Sequence, residues 1–296
     1  MPPLIHAFAL GDRATVSGVP WPDGLAGRPR RTAMRSRAGM LGAACMVVVV
    51  TAAVAGPWMA PYDPLTITGG SLAMPTREHM MGTDALGRDV FSALLYGART
   101  SLLVAGTVST IAFMIGTIIG LVSGYLGGWI DDLLARMTEI LQVIPRFFFV
   151  ITTIAILGPG LGRMIVVIGL TSWTTLARVV RGETLAIRKQ EFVLAAEALG
   201  ASPFRVMRRQ LLPNVLPATI VTVGLLFGQV LLLEATIGFL GLGDPEAISW
   251  GMMAAQAQGF LRVAWWLALF PGLAITITVL GINMVADACT PSRSAL

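Results

Sequence analysis

The amino-acid sequence predicts an all-α, polytopic membrane protein that crosses the bilayer six times. Of its 296 residues, 55% are hydrophobic and only 12% are charged, whereas soluble proteins average roughly 25% charged residues. Six apolar stretches lie near or above the roughly 20 residues that a membrane-crossing helix needs. Arginines gather beside alternate ends of these stretches, as is typical of cytoplasmic loops. The predicted spans are residues 39–59, 101–126, 133–157, 164–180, 216–240 and 265–288.

The chain before the first span is predicted to be a separate cytoplasmic segment, residues 1–37, followed by a membrane domain of residues 38–296. This segment is rich in Pro, Gly and Arg and has no hydrophobic period, so much of it is expected to be irregular. Its arginines precede the first apolar stretch, which places the N terminus in the cytoplasm, and the short C-terminal tail is expected there too. Ala53-Val54-Ala55 resembles a signal-peptide cleavage site, but the preceding segment is long for a signal peptide. A retained span is therefore favoured.

The first external segment, residues 60–99, is expected to hold a short interfacial helix. Thr83 or Asp84 is a candidate N-cap, and Arg88 and Asp89 are expected to pair. The apolar stripe of this helix would consist of Val90, Leu94 and Leu95. The favoured interpretation is an anchor for the helix bundle; direct substrate contact is the alternative.

Small residues in the second span predict a close helix contact. Gly116, Gly120 and Gly124 recur every four residues, and such spacings let helix backbones approach closely in lipid. At the outer interface, where the sixth span begins, Trp265 and Trp266 predict an aromatic belt.

Charges inside the spans are costly and should face protein or water. Arg136 and Glu139 share a helix face in the third span, which predicts a structural ion pair. The fifth span holds Gln229 and Glu234, and Glu234 is the least expected charge in the chain. These side chains either line a passage or bond to a neighbouring helix, and the sequence leaves both open.

Between the fourth and fifth spans, residues 188–213 predict two short amphipathic helices joined by a sharp turn, which we call the hairpin. A helix is expected to end at Gly200, which suits a left-handed residue. Ser202 is a candidate N-cap and Pro203 suits the first turn of a second helix. One apolar stripe is formed by Phe192, Ala195, Ala196 and Leu199. Such a stripe needs a cover, and we expect that cover to be another protein; an amphipathic loop lying on the bilayer is the alternative.

Several chemistries find no support in the sequence. There is no phosphate-binding Gly-x-x-x-x-Gly-Lys-Ser/Thr loop, and His6 and His79, the two histidines, lie outside the predicted spans. Cys45 and Cys289 fit no metal or disulfide pattern, and the arginine surplus lacks the interleaved aromatics of a nucleic-acid surface. We therefore expect no catalytic residues, no metal site and no nucleic-acid partner.

The hairpin resembles the cytoplasmic coupling motif of the permease subunits of ATP-binding-cassette (ABC) importers. Ala195, Ala196, Gly200, Leu212 and Pro213 match that motif in register, whereas Leu194 replaces its glutamate and Gln210 replaces a hydrophobic residue. Glu191 supplies an acid one turn earlier, as in the dipeptide and oligopeptide branch. Three other segments, beginning at Met81, Leu231 and Trp265, are similar to the same branch in the same order. The resemblance covers about residues 39–287.

The resemblance implies the type I importer permease fold and a set of partners. These are a second, homologous six-span permease, two cytoplasmic ABC ATPase domains, and an external peptide-binding protein, in addition to the lipid bilayer of the cytoplasmic membrane. It implies no cofactor in this chain, because ATP and magnesium would bind the ATPases. The residues implied to couple to an ATPase are Glu191, Phe192, Ala195, Ala196, Leu199, Gly200, Ser202, Pro203 and Phe204.

The implied cargo is di- or oligopeptides, with nickel chelates or another small solute as alternatives. Two other classes remain open from the residues. A stand-alone secondary transporter or channel usually needs titratable groups along its path, and the spans hold few. A membrane scaffold without transport is the other.

Overall fold

A computed structural model describes residues 37–289, and helices account for most of this range. Residues 1–36 and 290–296 lie outside the described part, and with them nearly all of the predicted N-terminal segment. The helices are α1 (Arg37–Met59), α2 (Val90–Leu126), α3 (Gly128–Val143), α4 (Arg146–Leu157), α5 (Leu161–Ile187), α6 (Glu191–Ala198), α7 (Pro203–Val206), α8 (Leu212–Phe239), α9 (Trp250–Ala257) and α10 (Trp266–Cys289).

Five long apolar helices and one broken helix pair account for the six predicted crossings. The five are α1, α2, α5, α10 and the continuous stretch Pro203–Phe239, and α3 with α4 passes the same criteria as one bent span. In the described residues the β-structure amounts to one isolated bridge, between Thr83 and Asp89. The predicted all-α membrane fold is confirmed.

The crossings alternate in direction, which gives the bundle two distinct ends. The hairpin follows α5, and we call its side the hairpin end and the other side the distal end. The N-terminal part of α1 meets the C-terminal part of α10, where a Cβ at Gly42 would lie 2.7 Å from Met284 Cβ. Residues 60–89 and α9 lie at the distal end, since they connect α1 to α2 and α8 to α10. Both termini of the described chain are therefore at the hairpin end.

A close helix contact joins α2 to α5 through the predicted glycines. A Cβ at Gly116 would lie 2.9 Å from Leu176 Cβ, one at Gly120 would lie 2.6 Å from Val180 Cβ, and one at Gly124 would lie 2.8 Å from Thr184 Cβ. Such distances are shorter than real carbon contacts, so only glycine permits this backbone separation. The predicted close contact of the second span is confirmed.

At the distal end, α2 begins earlier than the sequence predicted. It is one helix of 37 residues from Val90, because nothing between Val90 and the predicted start at position 101 stops a helix. Its N-cap is Asp89, rather than Thr83 or Asp84, and the Asp89 carboxylate accepts a hydrogen bond from Ser92 N at 2.8 Å.

The same carboxylate shows that the expected Arg88–Asp89 pair is wrong. Asp89 Oδ1 lies 3.0 Å from His79 Nδ1, and both side chains are buried. The Asp89 carboxylate is thus bonded to Ser92 and His79, and the ion pairs of the described residues include none between Arg88 and Asp89.

Only one of the two tryptophans predicted to form an interfacial belt is exposed. Trp265 is 54% exposed, whereas Trp266 is 1% exposed. The Trp266 indole Nε1 donates to Thr83 O at 3.2 Å, so it fastens α10 to residues 60–89. Burial of a Trp N–H requires such a partner.

The third predicted span is broken in the middle. Ile144 and Pro145 have extended backbone angles, and α3 and α4 meet at 74°. The residue before proline is disfavoured in the helical region, which explains the break at this position.

Gly120→Ala is expected to destabilise the bundle because its methyl group would overlap Val180 and the Ala177 carbonyl on α5. Overpacking of this kind costs about 1–3 kcal/mol. The midpoint temperature of unfolding of the purified protein should fall. Gly106→Ala, on the same helix as Gly120, is the matched control. A Cβ at Gly106 would meet only Phe227, at 4.0 Å. Equal midpoints for the two variants would contradict the close packing.

Candidate functional site

The turn of the hairpin is a Schellman motif that requires glycine. Gly200 has φ +78°, and two hydrogen bonds close the end of α6: Ala201 N donates to Ala196 O at 3.0 Å and Gly200 N donates to Glu197 O at 2.9 Å. This pairing satisfies carbonyls that a helix C-terminus leaves free. The left-handed glycine predicted from the sequence is confirmed.

The second half of the hairpin does not end before the membrane. Ser202 and Pro203 occupy the N-cap and first helical positions as predicted, although the Ser202 side chain makes no capping bond. From there the helix runs without a stop, through a π-helical turn at Met207–Leu211, into α8. The expected separate helix is therefore wrong.

Pro213 explains why this continuous helix contains a π turn. Within an α-helix, proline lacks a donor and its ring clashes with the carbonyl four residues earlier. The wider turn, in which Leu212 N bonds to Met207 O, accommodates that conflict. Single π turns of this kind occur inside α-helices.

The hairpin is fixed to the bundle by residues that the sequence analysis did not select. Val193 of α6 and Val206 of α7 are both fully buried. The Tyr125 hydroxyl, at the end of α2, donates to Glu197 Oε1 at 2.9 Å. The Arg188 guanidinium lies 5.5 Å from the centre of the Tyr125 ring, within range of a cation–π contact.

The predicted apolar stripe faces away from the bundle. Phe192, Ala195 and Leu199 are exposed and Ala196 is half-buried. Leu199 is 89% exposed and Phe204 is 68% exposed. Glu191, Ser202 and Pro203 are exposed beside them. Residues 37–289 thus leave these large apolar side chains of the hairpin uncovered.

The three polar residues considered for a passage lie in different environments. Glu234 is 1% exposed and accepts a hydrogen bond from the Ser101 hydroxyl at 3.1 Å. The Ser249 hydroxyl also hydrogen-bonds Glu234, so the carboxylate joins α8 to α2 and to the start of α9. Gln229 and Glu139 are exposed on the surface of the chain. The structure does not bring the three together.

The ion pair expected between Arg136 and Glu139 is absent, and both side chains are exposed. A different pair holds this region: Asp131 of α3 accepts two bonds from Arg181 of α5, both at 2.6 Å. This pair was not predictable from local sequence patterns, because its members are 50 residues apart. A bidentate bond between two helices offers a fixed geometry that neighbouring exposed residues on one helix lack.

Comparison with known proteins places the chain in one family. Residues 116–290 match the family described as binding-protein-dependent transport system inner membrane component. Residues 30–73 match the N-terminal TM domain of oligopeptide transport permease C.

Individual relatives agree over most of the chain. The dipeptide transport system permease protein DppC of Bacillus subtilis is 38% identical over 87% of this chain and 81% of its own length. The probable D,D-dipeptide transport system permease protein DdpC of Escherichia coli is 36% identical over 83% of each. The oligopeptide transport system permease protein OppC of Bacillus subtilis is 34% identical over 85% of this chain and 83% of its own length.

A solved structure shares the fold. An inward-facing structure of the MetNI methionine ABC transporter contains a chain with a TM-score of 0.54 and 20% identity, covering 67% of this chain and 96% of that one. Together with the helix order and the family match, these relatives show that the chain belongs to the inner membrane components of binding-protein-dependent transport systems, in the branch similar to DppC and OppC.

Proposed function

We propose that the chain is the permease subunit of an ABC importer that carries di- and oligopeptides into the cytoplasm. The subunit itself is non-catalytic. ATP and magnesium bind partner ATPases, whose hydrolysis of ATP drives transport. The peptide cargo is supported by the relatives, which include dipeptide, D,D-dipeptide and oligopeptide permeases.

The observation that carries this proposal is the hairpin. Leu199 and Phe204 are exposed at its tip. Contiguous exposed apolar patches mark interaction sites on proteins. The Schellman turn and the Tyr125–Glu197 bond make this tip rigid. A rigid apolar projection suits a groove on an ATPase domain. A stand-alone channel has no partner for the hairpin to bind, so that alternative leaves the hairpin unexplained.

The hairpin end faces the cytoplasm in this proposal, with both termini on that side. Arg188, Lys189, Arg205, Arg208 and Arg209 lie there, in agreement with the positive-inside rule. The second permease subunit would pack beside this chain in the membrane. The peptide-binding protein would deliver cargo at the distal end.

Movement of the ATPase would reach the distal end along a single helix. The stretch Pro203–Phe239 has 37 residues, which corresponds to about 55 Å at 1.5 Å per residue. Its far end is tied to α2 and α9 through Glu234. Displacing the hairpin therefore moves the distal helices without requiring a bend.

The simplest test of the assignment is purification from membranes. A second permease and ATPase subunits should copurify with the chain, and peptide uptake by the reconstituted complex should require ATP. Uptake by the chain alone, driven by an ion gradient, would establish the secondary-transporter alternative instead.

Gly200→Leu is expected to uncouple the ATPases from the permease while leaving the chain in the membrane. A Cβ at Gly200 would meet nothing within 4 Å, so the effect comes only from the left-handed backbone, which costs a side chain about 1–2 kcal/mol. Peptide uptake and ATPase copurification should both fall. Gly200→Asn should preserve both, because asparagine tolerates this conformation.

The matched control for Gly200→Leu is Gly241→Leu. Gly241 has φ +76° and equally open surroundings, but it follows α8 at the distal end. The Gly241→Leu variant should therefore still copurify with the ATPases. Normal coupling in Gly200→Leu, or equal loss of the ATPases in both leucine variants, would contradict the role of the hairpin.

Glu234→Leu is expected to lower the stability of the complex, because the Ser101 and Ser249 hydroxyls lose their buried acceptor. Leaving a buried donor unsatisfied costs about 1–3 kcal/mol. Glu234→Gln keeps an acceptor oxygen and should assemble and transport nearly as the wild type does. Unfolding midpoints and peptide uptake measure the two effects, with the exposed Thr236→Val on the same helix as control. Altered uptake by an intact Glu234→Gln complex would show that Glu234 contacts the path.

A further inference from the structure

Two arginines on α4 and α5 share one face of the chain. Arg146 Nη2 donates to Thr175 Oγ1 at 3.2 Å, and Arg178 Nη2 donates to Gln142 Oε1. Gln142 and Arg146 flank the break between α3 and α4, while Thr175 and Arg178 are one turn apart on α5. The four side chains therefore link α5 twice to the residues on either side of the α3–α4 break.

Measured along α4 and α5 from the distal end, these arginines fall within the thickness of an apolar layer. Arg146 starts α4, whose 12 residues lead to the turn at Gly158, so it lies up to about 18 Å from that distal turn. Its partner Thr175 is about 21 Å along α5 from Leu161 by the same measure. The hydrocarbon layer of a bilayer is about 30 Å thick. An arginine at such depth should not face lipid.

Neither guanidinium has a carboxylate partner among residues 37–289. The ion pairs in that range are Asp131–Arg181 and His79–Asp89. Arg181, one turn from Arg178, shows how the chain neutralises an arginine that serves only to join helices. Arg146 and Arg178 keep their positive charge and bind only neutral oxygens.

Their surroundings are accessible. Arg178 and Thr175 are exposed on the chain surface, and Arg146 is half-buried. Arg178, with Arg181 and Glu139, also borders a cavity of about 180 Å³ between α2, α3 and α5, which Arg146 does not line. Exposed cations at this depth need either water with an anionic ligand or an acid on a neighbouring subunit.

We infer that Arg146 and Arg178 form an anion-binding station in the translocation path, which holds a carboxylate of the peptide in transit. This inference rests on the proposed peptide transport. A peptide offers its terminal carboxylate and, in some sequences, an acidic side chain. Planar guanidinium groups bind carboxylates through paired, charge-assisted hydrogen bonds. Thr175 and Gln142 orient the two groups without neutralising them.

The test uses the assembled transporter in proteoliposomes, after Cys45→Ala and Cys289→Ala remove the free cysteines. Arg146→Cys should lower ATP-dependent peptide uptake by about tenfold, the effect of losing a charged hydrogen bond. Treatment with aminoethyl methanethiosulfonate, which adds an ammonium group to the new thiol, should restore uptake. The sulfonatoethyl reagent, which adds an anion, should not.

Matched variants and cargoes complete the experiment. Arg136→Cys, an exposed arginine of α3 ten residues earlier, should transport normally before and after either reagent. Loss of uptake for a peptide with only apolar side chains would assign the terminal carboxylate. Loss confined to a peptide that contains glutamate would assign the side-chain carboxylate.

The contradicting outcomes are distinct. If Arg146→Cys prevents copurification of the partner permease, or its thiol reacts only after the subunits are separated, the arginines pair with that subunit and the inference fails. Normal uptake by Arg146→Cys, or recovery that ignores the charge of the reagent, also overturns it. A wild-type complex that takes up no peptide would instead overturn the proposed function, and this inference with it.

Discussion

The rest of the structure depends on the close contact between α2 and α5. Because Gly116, Gly120 and Gly124 have no side chains, the two helices approach until a Cβ would overlap its neighbour. Toward the hairpin end, this spacing lets Tyr125 reach Glu197 and lets α3, folded back from α2, place Asp131 against Arg181. A wider separation would weaken both the hairpin anchor and the Asp131–Arg181 ion pair.

The hairpin and the membrane helix that follows it behave as one mechanical element. Gly200 turns the chain, Pro203 restarts the helix and the π turn carries it past Pro213. Pro213 and Pro217 both lie inside this continuous helix, although a proline usually stops a helix. The apolar tip is therefore attached to one continuous helix, whose other end is fixed by Glu234. Displacement of the tip is transmitted along this helix.

Local features of this fold were predictable from sequence, and distant contacts were not. The positive φ of Gly200, the cap position of Ser202 and the glycine spacing of α2 follow from short-range rules. The Asp89–His79 contact and the burial of Trp266 depend on contacts with residues outside the helices concerned. The burial of Val193 against the bundle was not predictable either, because hydrophobic periodicity on a single short helix does not determine which apolar residue packs inward.

The polar groups of the membrane domain fall into two classes. Structural groups have a bonding partner within the described chain, and the remaining charged groups have no opposite charge there and are available to other molecules. Glu234 is buried with two hydroxyl donors, and Asp131 and Arg181 neutralise each other. Glu139, Arg146 and Arg178 lack an opposite charge at bonding distance within the described chain, and they lie on elements that meet beside the α3–α4 break. Since an uncompensated charge in an apolar layer is retained only at a cost, this face is where a water-filled path and its cargo should meet the subunit.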